Sequence, residues 1–561
     1  MTTSTDVVIV GSGAGGSGLA YAFANAGFSV TVLEKGPRHA AADFVHDEIL
    51  GEPGVDVFTP SIDDDPHMLV ELSPDGREPR RTLDGWSASC VGGGTMHMGA
   101  SLHRMHPSDF RLRSFLGSFE SVADWPYTYE DLEPYYTRAE WLLGVSGSDD
   151  GLPTELRRSR PLPMEPLRSH PLVHRFDAVC RARSLGVYAT PRGINSRPYD
   201  DRPACEYCDL CAGFGCPNGA RAGAQDTLLR RAEATGRCEI KPNTMVTEVL
   251  VGPRRRATSV RYIDRGGAEH VATGSVICIS ASAIESARLL LRSRAAGGDT
   301  GIGNANGLVG QFLHFHISSA GRGKFDQDPM ERATPAGRNP FLGRSTMEYY
   351  FLPPAVSSYA KGGLHEFDME RSQPIAIARR TALGSGTVAS ADGRAELLWG
   401  VPLKRALKGR LAAQCAVDFE VFQDGFANSG TYMDLDPGVR DKWGLPVARI
   451  QYTHLDHYRE AGRWLVDRGL EILDAMGATT TRPLGIGIRN GYMVHGTCRA
   501  GSDPRTSVLD PFCRVHDVPN LFVIDGSFMP ASGAAPATLT IVANALRCAD
   551  HIIDRARSYE L

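Results

Sequence analysis

Apolar positions along the chain change period several times, and each change predicts an element. Val7-Val8-Ile9-Val10 is an unbroken apolar run, the pattern of a parallel strand buried on both faces. After a glycine-rich turn, Leu19, Ala20, Ala22, Phe23 and Ala26 recur at the spacing of a packed helix, with Gly27 as its cap. Phe28 to Leu33 return to strand. Near the other end, Asn520 to Ile524 (NLFVI) reads as a strand. TLTIVANALRCADHIIDRA then reads as a helix with Ile541, Ala545, Cys548 and Ile552 near one face. In the middle, STMEYYFLPP, LLWGVPL, CAVDFEVFQ and ARIQYTHL suggest strands. YREAGRWLVDRGLEILDAMG suggests an amphipathic helix ended by Gly477. FLHFHI alternates, so His314 and His316 share one face of a strand, lining a pocket or facing solvent. DDDPHMLVELSPDGREPRR and GSDDGLPTELRRSRPLPMEP read as polar, proline-containing loops.

The first strand, helix and strand carry chemistry. Gly11, Gly13 and Gly16 form G-x-G-x-x-G directly after the apolar run. Such glycines allow a tight turn and let the backbone approach a pyrophosphate at a helix N-terminus. Glu34 ends the second strand, where a carboxylate can accept hydrogen bonds from ribose hydroxyls. With all parts in order, a dinucleotide site is expected. Glu34 alone does not separate FAD from NAD.

Two further stretches bear on that choice. SASCVGGGTMHMGASLHRMHPSDF spans 87–110, and VHGTCRAGSDPRTSVLDPFCRVHDVPNLFVIDGSFMPASGAAPATLT spans 494–540. With the N-terminal fingerprint, and with DWPYTYEDLEPYYTRAEWLLGVSG and VICISASAIESARLLLRS, the chain resembles the glucose–methanol–choline (GMC) flavoprotein oxidoreductases. The resemblance implies an α/β fold: a doubly wound, Rossmann-like FAD domain from about 1–310 and 485–561, and an α+β substrate domain on an antiparallel sheet from about 311–484. It implies that Gly92 and Gly93 run past the isoalloxazine. Asp525 and Gly526 would contact the ribityl or pyrophosphate portion, and the Val246 backbone would meet the adenine. The last helix would point its positive end at the flavin. His97 falls where some members attach FAD covalently. It is expected either to do so or to lie beside the ring unbonded.

Cys205, Cys208, Cys211 and Cys216 form C-x2-C-x2-C-x4-C-P within a loop at about 200–222. Bacterial ferredoxins use a similar run with one residue fewer before the last cysteine. An iron–sulfur cluster, a structural zinc or uncomplexed thiols are all compatible with this spacing. YATPRGINSRPYDDRPACEYC also resembles, locally, the flavoprotein dehydrogenases of aminoglycoside biosynthesis, which act on a primary hydroxyl of an amino sugar.

Alcohol oxidation needs a base for the hydroxyl proton, and a neutral histidine suits. In the family the first histidine stands four residues before the threonine of a Gly-Thr pair. Here that position is Met493, and His495 is two before Thr497. A second histidine or asparagine is expected before Thr538-Leu539-Thr540, where this chain has Ala535 and Pro536. His495 is therefore the expected base, displaced along the strand, with a purely structural loop histidine as the alternative.

Composition narrows the picture further. The 561 residues are 42% hydrophobic and 22% charged, with net charge −5, which favours neither nucleic acid nor an anionic membrane. The runs GPRRRA and VPLKRALKGR read as solvated faces. No apolar run is long enough to span a membrane, and no basic region precedes the first one, so a cytoplasmic protein is expected. Most of the twelve cysteines would then be thiols, Cys278 among them in the core. The expected activity is FAD-dependent oxidation of an alcohol on a sugar or aminosugar-like molecule, with an external acceptor or oxygen taking the electrons. The missing second side chain motivates one alternative, a lyase or decarboxylase on the same fold; an electron-carrying subunit of a larger complex is a third reading.

Overall fold

The unbroken apolar run of the first strand is explained by its neighbours. Thr2–Val10 lies parallel to Val30–Leu33 on one side and to Glu269–Ile279 on the other, with Val7, Val8 and Ile9 fully buried. Cys238–Lys241 extends this ladder beyond Val30–Leu33, and Leu521–Val523 pairs in parallel with the end of Glu269–Ile279. Met245–Val251 and Ala257–Ile263 add two antiparallel strands, giving a seven-stranded sheet. Helix Ala14–Asn25 packs against the last helix, Thr538–Arg557, so closely that a Cβ on Gly18 would lie 3.0 Å from that of Ala545. The computed structural model describes all residues except 1, 46, 50–56, 72–78, 86–87, 209, 295–300, 327–340, 358, 371–373, 383–396, 413 and 559–561.

A second sheet has six strands in the order Thr480–His495, His314–Asp326, Gln414–Gln423, Gly363–Met369, Arg344–Thr346 and Tyr188–Ala189, all antiparallel. Helix Asp456–Ala475 packs Leu465 and Leu473 against Phe367 and Phe419 of this sheet. Its edge strand runs through residue 485, and Tyr188–Ala189 joins it from the first half of the chain.

Three expectations need correction. LLWGVPL is not a strand: Gly400–Ala412 is helical. Pro402 lies in its first turn, where a missing N–H costs nothing, and Leu403, Ala406 and Leu407 are half-buried at helical spacing. Only Ser345 and Thr346 of STMEYYFLPP are strand, because Met347–Tyr350 turns back, the Tyr350 amide donating to the Met347 carbonyl. The polar stretch near residue 67 contains two strands, His67–Glu71 and Arg80–Thr82. The first pairs in parallel with Pro446–Tyr452 and buries Met68 and Leu69, so charged flanks concealed a core segment. Tyr432–Arg440 completes this four-stranded third sheet.

A charged knot fastens the third sheet to the first. Arg288, on helix Ala283–Arg292, is fully buried and lies 2.6 Å from Asp441, 3.1 Å from Glu285 and 3.5 Å from Asp65. It also donates to the Pro446 carbonyl. Burial pushes the Glu285 carboxyl up, but Arg288 and Lys35 outweigh it and hold that group well below the usual carboxylate range. Among the described residues no helix is long and apolar enough to cross a membrane.

Removing one partner of such a pair strands the other charge, at a cost of about 3–5 kcal/mol. Asp441→Ala is expected to lose stability of that order in urea unfolding. A loss below about 1 kcal/mol would show that Arg288 does not depend on this partner.

Candidate active site

A cleft of about 1780 Å³, partly continuous with solvent, opens at the carboxyl ends of the parallel strands. This is the place where open α/β sheets bind ligands. The fingerprint turn shapes one end. Gly11 adopts φ +93°, and a Cβ there would lie 2.3 Å from the Ser280 carbonyl oxygen. A Cβ on Gly16 would lie 2.0 Å from the Gly11 carbonyl, so Gly16 packs the turn rather than lining the cleft. Gly13 lines the cleft, and a Cβ there would meet no protein atom within 4 Å.

Glu34 does more than end its strand. Its Oε2 accepts from the Ser12 amide at 3.0 Å and the Ser12 hydroxyl at 2.7 Å, and its Oε1 accepts from the Gly36 amide at 2.9 Å. Ser12 Oγ in turn accepts from the Gly92 amide at 2.9 Å. The fingerprint turn and the Val-Gly-Gly loop are thus joined through one hydroxyl. Burial raises the Glu34 pKa against the pull of these hydrogen bonds. Gly92 itself lies behind the cleft wall, while Gly93 and His97 line it. The His97 ring stacks on Phe58, with 5.1 Å between ring centres.

At the other end, Val246 lines the cleft beside Arg292. Nε and Nη1 of Arg292 are buried without hydrogen-bond partners. Pattern reading missed both Arg292 and Ser12: Ser12 occupies a variable position of the fingerprint, and Arg292 lies in a family-like stretch with no chemistry assigned to it. Asp525 and Gly526 also line the cleft. Asp525 accepts from Ser286 Oγ at 2.5 Å and from the Ser527 amide at 2.8 Å, and burial raises its pKa. The last helix begins at Thr538 with no side-chain cap, and Ala537 and Thr538 face the cleft. Its positive end therefore points into the cleft.

His495 lines the cleft at the end of its strand and pairs in register with His314. The shared face of FLHFHI is neither solvent-exposed nor on the cleft wall: His314 and His316 are buried with exposures of 1% and 0%, and His495 with 3%. Ring centres lie 5.7 Å apart for His314 and His495, and 5.1 Å for His316 and His495. His314 Nδ1 donates to the Phe312 carbonyl at 2.9 Å, the role that a carbonyl partner requires. His495 Nδ1 is buried and meets no hydrogen-bond partner, which leaves Nε2 to face the cleft. Burial pushes the pKa values of His314 and His316 down to about 4. Burial, reinforced by His316 and His314, holds that of His495 well below 6.5. All three rings are therefore neutral near pH 7. Pro536 lines the cleft and Ala535 is buried, so neither supplies the missing polar side chain.

Cys205, Cys208, Cys211 and Cys216 line a separate small pocket with Ile194, Leu210 and Arg221. None is in a disulfide. The Tyr207 amide donates to Cys205 Sγ at 3.3 Å, and the Cys216 thiol donates to Asn218 Oδ1 at 3.1 Å. Burial pushes the Cys205 thiol up to about 12, with the other three cysteines adding to the effect. Among the described residues, no group of three or more His, Cys, Asp or Glu side chains stands in metal-holding geometry. The loop is fastened to the cleft wall: the Gly213 amide donates to the His97 carbonyl at 2.7 Å, and Arg221 donates to the carbonyls of Met96, Cys211 and Phe214.

A dinucleotide cleft with a neutral histidine at its wall is the architecture of a flavin-dependent oxidoreductase. Family models described as GMC oxidoreductase match residues 20–318 and 427–545, and the chain belongs to that family. It is 30% identical to 2-methyl-1,2-propanediol dehydrogenase of Mycolicibacterium austroafricanum over 99% of this chain and 97% of that one. It is also 30% identical to 6'''-hydroxyparomomycin C oxidase of Streptomyces lividus, over 97% and 90%. Fructose dehydrogenase large subunit of Gluconobacter japonicus is 28% identical over 99% and 98%. The fold is shared with formate oxidase of Aspergillus oryzae, at TM-score 0.63 and 15% identity over 99% of each chain. The protein is an FAD-dependent oxidoreductase acting on CH–OH groups.

Removing the Ser12 hydroxyl leaves the Glu34 carboxylate and the Gly92 amide short of a partner, each at a cost of about 1–3 kcal/mol. Ser12→Ala is expected to weaken FAD retention at least about tenfold, read from flavin fluorescence on dilution. Unchanged retention would show that the bridge does not set the cleft.

Proposed function

We propose that the substrate is a polar, hydroxylated small molecule of the sugar or aminosugar kind, and that His495 Nε2 removes its hydroxyl proton. The observation that carries this reading is a buried, neutral histidine with one nitrogen toward the cleft, opposite an uncapped helix N-terminus. A neutral imidazole accepts a proton where a charged one cannot. Relatives named for diols, aminoglycosides and fructose support the substrate class. No observation favours a lyase or a bare electron carrier.

FAD, when bound, supplies the acceptor for the hydride leaving the carbinol carbon. In this proposal the turn at Gly11, Gly13 and Gly16 and the N-terminus of helix Ala14–Asn25 hold the pyrophosphate, and Glu34 holds the ribose. Val246 and Arg292 take the adenine end, the orphaned guanidinium nitrogens being the feature that best fits an absent ligand. Gly93 and His97 flank the ring with Gly92 supporting them from behind the wall, and Asp525 and Gly526 take the ribityl chain. The Thr538 helix N-terminus stabilises negative charge beside the ring.

The cysteine loop we assign to an iron–sulfur centre. Four thiols gathered around one pocket and fastened to the Met96–His97 segment motivate this reading, but they do not stand in metal-holding geometry as they are, so ligation requires the loop to close on the metal. Such a centre would give electrons an exit other than oxygen, which favours dehydrogenase over oxidase.

Anaerobic mixing with 2-methyl-1,2-propanediol, fructose and paromamine is expected to bleach the flavin bands with at least one of them. His495→Gln is expected to slow that bleaching by about 10²- to 10⁴-fold, the usual worth of a general base. No bleaching by any polyol would contradict the alcohol reading. Metal analysis of the purified protein is expected to find iron, with loss in Cys211→Ser. Zinc or no metal would make the loop structural. Flavin that stays in the acid-precipitated pellet would make His97 a covalent anchor, and flavin in the supernatant a neighbour.

A further inference from the structure

The absent second side chain leaves a question that the histidine cluster answers. Other buried histidines of this fold are anchored through a ring nitrogen. His365 Nε2 pairs with the Leu465 carbonyl at 2.9 Å, and His457 Nδ1 with Ser357 Oγ at 2.8 Å. His67 has both nitrogens engaged, with the Asp84 carbonyl and Glu285. His316 differs: neither ring nitrogen makes a hydrogen bond of normal geometry, and its nearest approach to one is a weak interaction with the Gln423 backbone, which raises its pKa against the larger lowering by burial. Next to it stands the equally orphaned Nδ1 of His495, with ring centres 5.1 Å apart and planes at 80°. Facing ring nitrogens at that separation come within hydrogen-bond reach.

We infer that His316 is the positioning residue of this active site, setting the tautomer of His495 from behind and compensating for the side chain missing at Ala535 and Pro536. The inference rests on His495 being the base. A small ring rotation lets His495 Nδ1–H donate to a His316 nitrogen. Nε2 then carries the lone pair toward the cleft, the only tautomer able to take a hydroxyl proton there. When the substrate O–H bond breaks, the proton joins Nε2, and the charge formed on His495 keeps its Nδ1–H···His316 bond. No proton need leave His495 during the step. Two other groups bear on His316: the His314 ring, and Asp109, which pulls electrostatically but is itself held by Lys361, by the Tyr350 hydroxyl and by the His106 amide. Asp109 is thus engaged elsewhere, and His314 Nε2, also without a partner, is the competing acceptor, with its ring centre 5.7 Å from that of His495. The role falls to His316 because its ring is nearer, at 5.1 Å, and both of its nitrogens lack partners.

The test uses the flavin-loaded enzyme and the panel alcohol that bleaches it fastest. His316→Phe keeps a ring without nitrogens, and His316→Gln keeps a nitrogen without the ring. The expected order is Gln above Phe. His316→Phe should slow anaerobic flavin reduction at least about tenfold at unchanged KM, as for side chains that orient a reacting group, while His316→Gln stays within a few-fold of the parent. A packing role demands the opposite order, so Phe equal to or faster than Gln overturns the inference. If His316→Phe does not hold flavin, His316→Leu against His316→Asn must give the same order. His495→Gln is run alongside. A fast His495→Gln would overturn the base assignment itself, whereas a crippled His495→Gln with an unimpaired His316→Phe overturns only the role given to His316.

Discussion

The Ser12 hydroxyl joins two loops that are 80 residues apart in sequence, and the shape of the cleft depends on it. It donates to Glu34 and accepts from Gly92, so the turn that ends the first strand and the loop that crosses above it share one hydrogen-bond chain. The same contact fixes the approach of the two backbones: a Cβ on Gly93 would lie 3.1 Å from the Gly13 Cα. A larger side chain at Gly93 would press on Gly13 and narrow the cleft between the two loops. Glu34 is consequently a structural acceptor first, holding Ser12 and Gly36.

The opposite wall is governed by desolvation. Three imidazoles occupy one buried face where the edge strand Thr480–His495 meets His314–Asp326. Burial keeps them uncharged at neutral pH, at the cost of hydrogen bonds that several of their ring nitrogens do not make. The sheet that carries them is antiparallel and anchored by helix Asp456–Ala475, so the ring positions are set by backbone register rather than by a loop.

Much of this was legible in the sequence, for physical reasons. Buried parallel strands announce themselves as apolar runs, and glycines forced by close backbone contact cannot be replaced, so Thr2–Val10, the fingerprint and the final helix were readable. Alternation in FLHFHI placed His314 and His316 on one face correctly. It could not say that both faces of that strand are buried, because burial depends on a partner strand about 170 residues away. Ser12 and Arg292 were invisible since their roles arise from contacts distant in sequence. His67–Glu71 was hidden by charged flanks, and LLWGVPL misled because short apolar runs do not distinguish strand from helix.

The pH dependence of anaerobic flavin reduction tests the central claim most directly. A base must be unprotonated, so the rate falls as pH drops through its pKa. With burial, His316 and His314 all holding His495 well below 6.5, the account predicts an undiminished rate down through pH 6.5, with the acid limb beneath that value. An acid limb at or above pH 6.5 would mean that the proton goes to a different group or that His495 is not the neutral, buried base described.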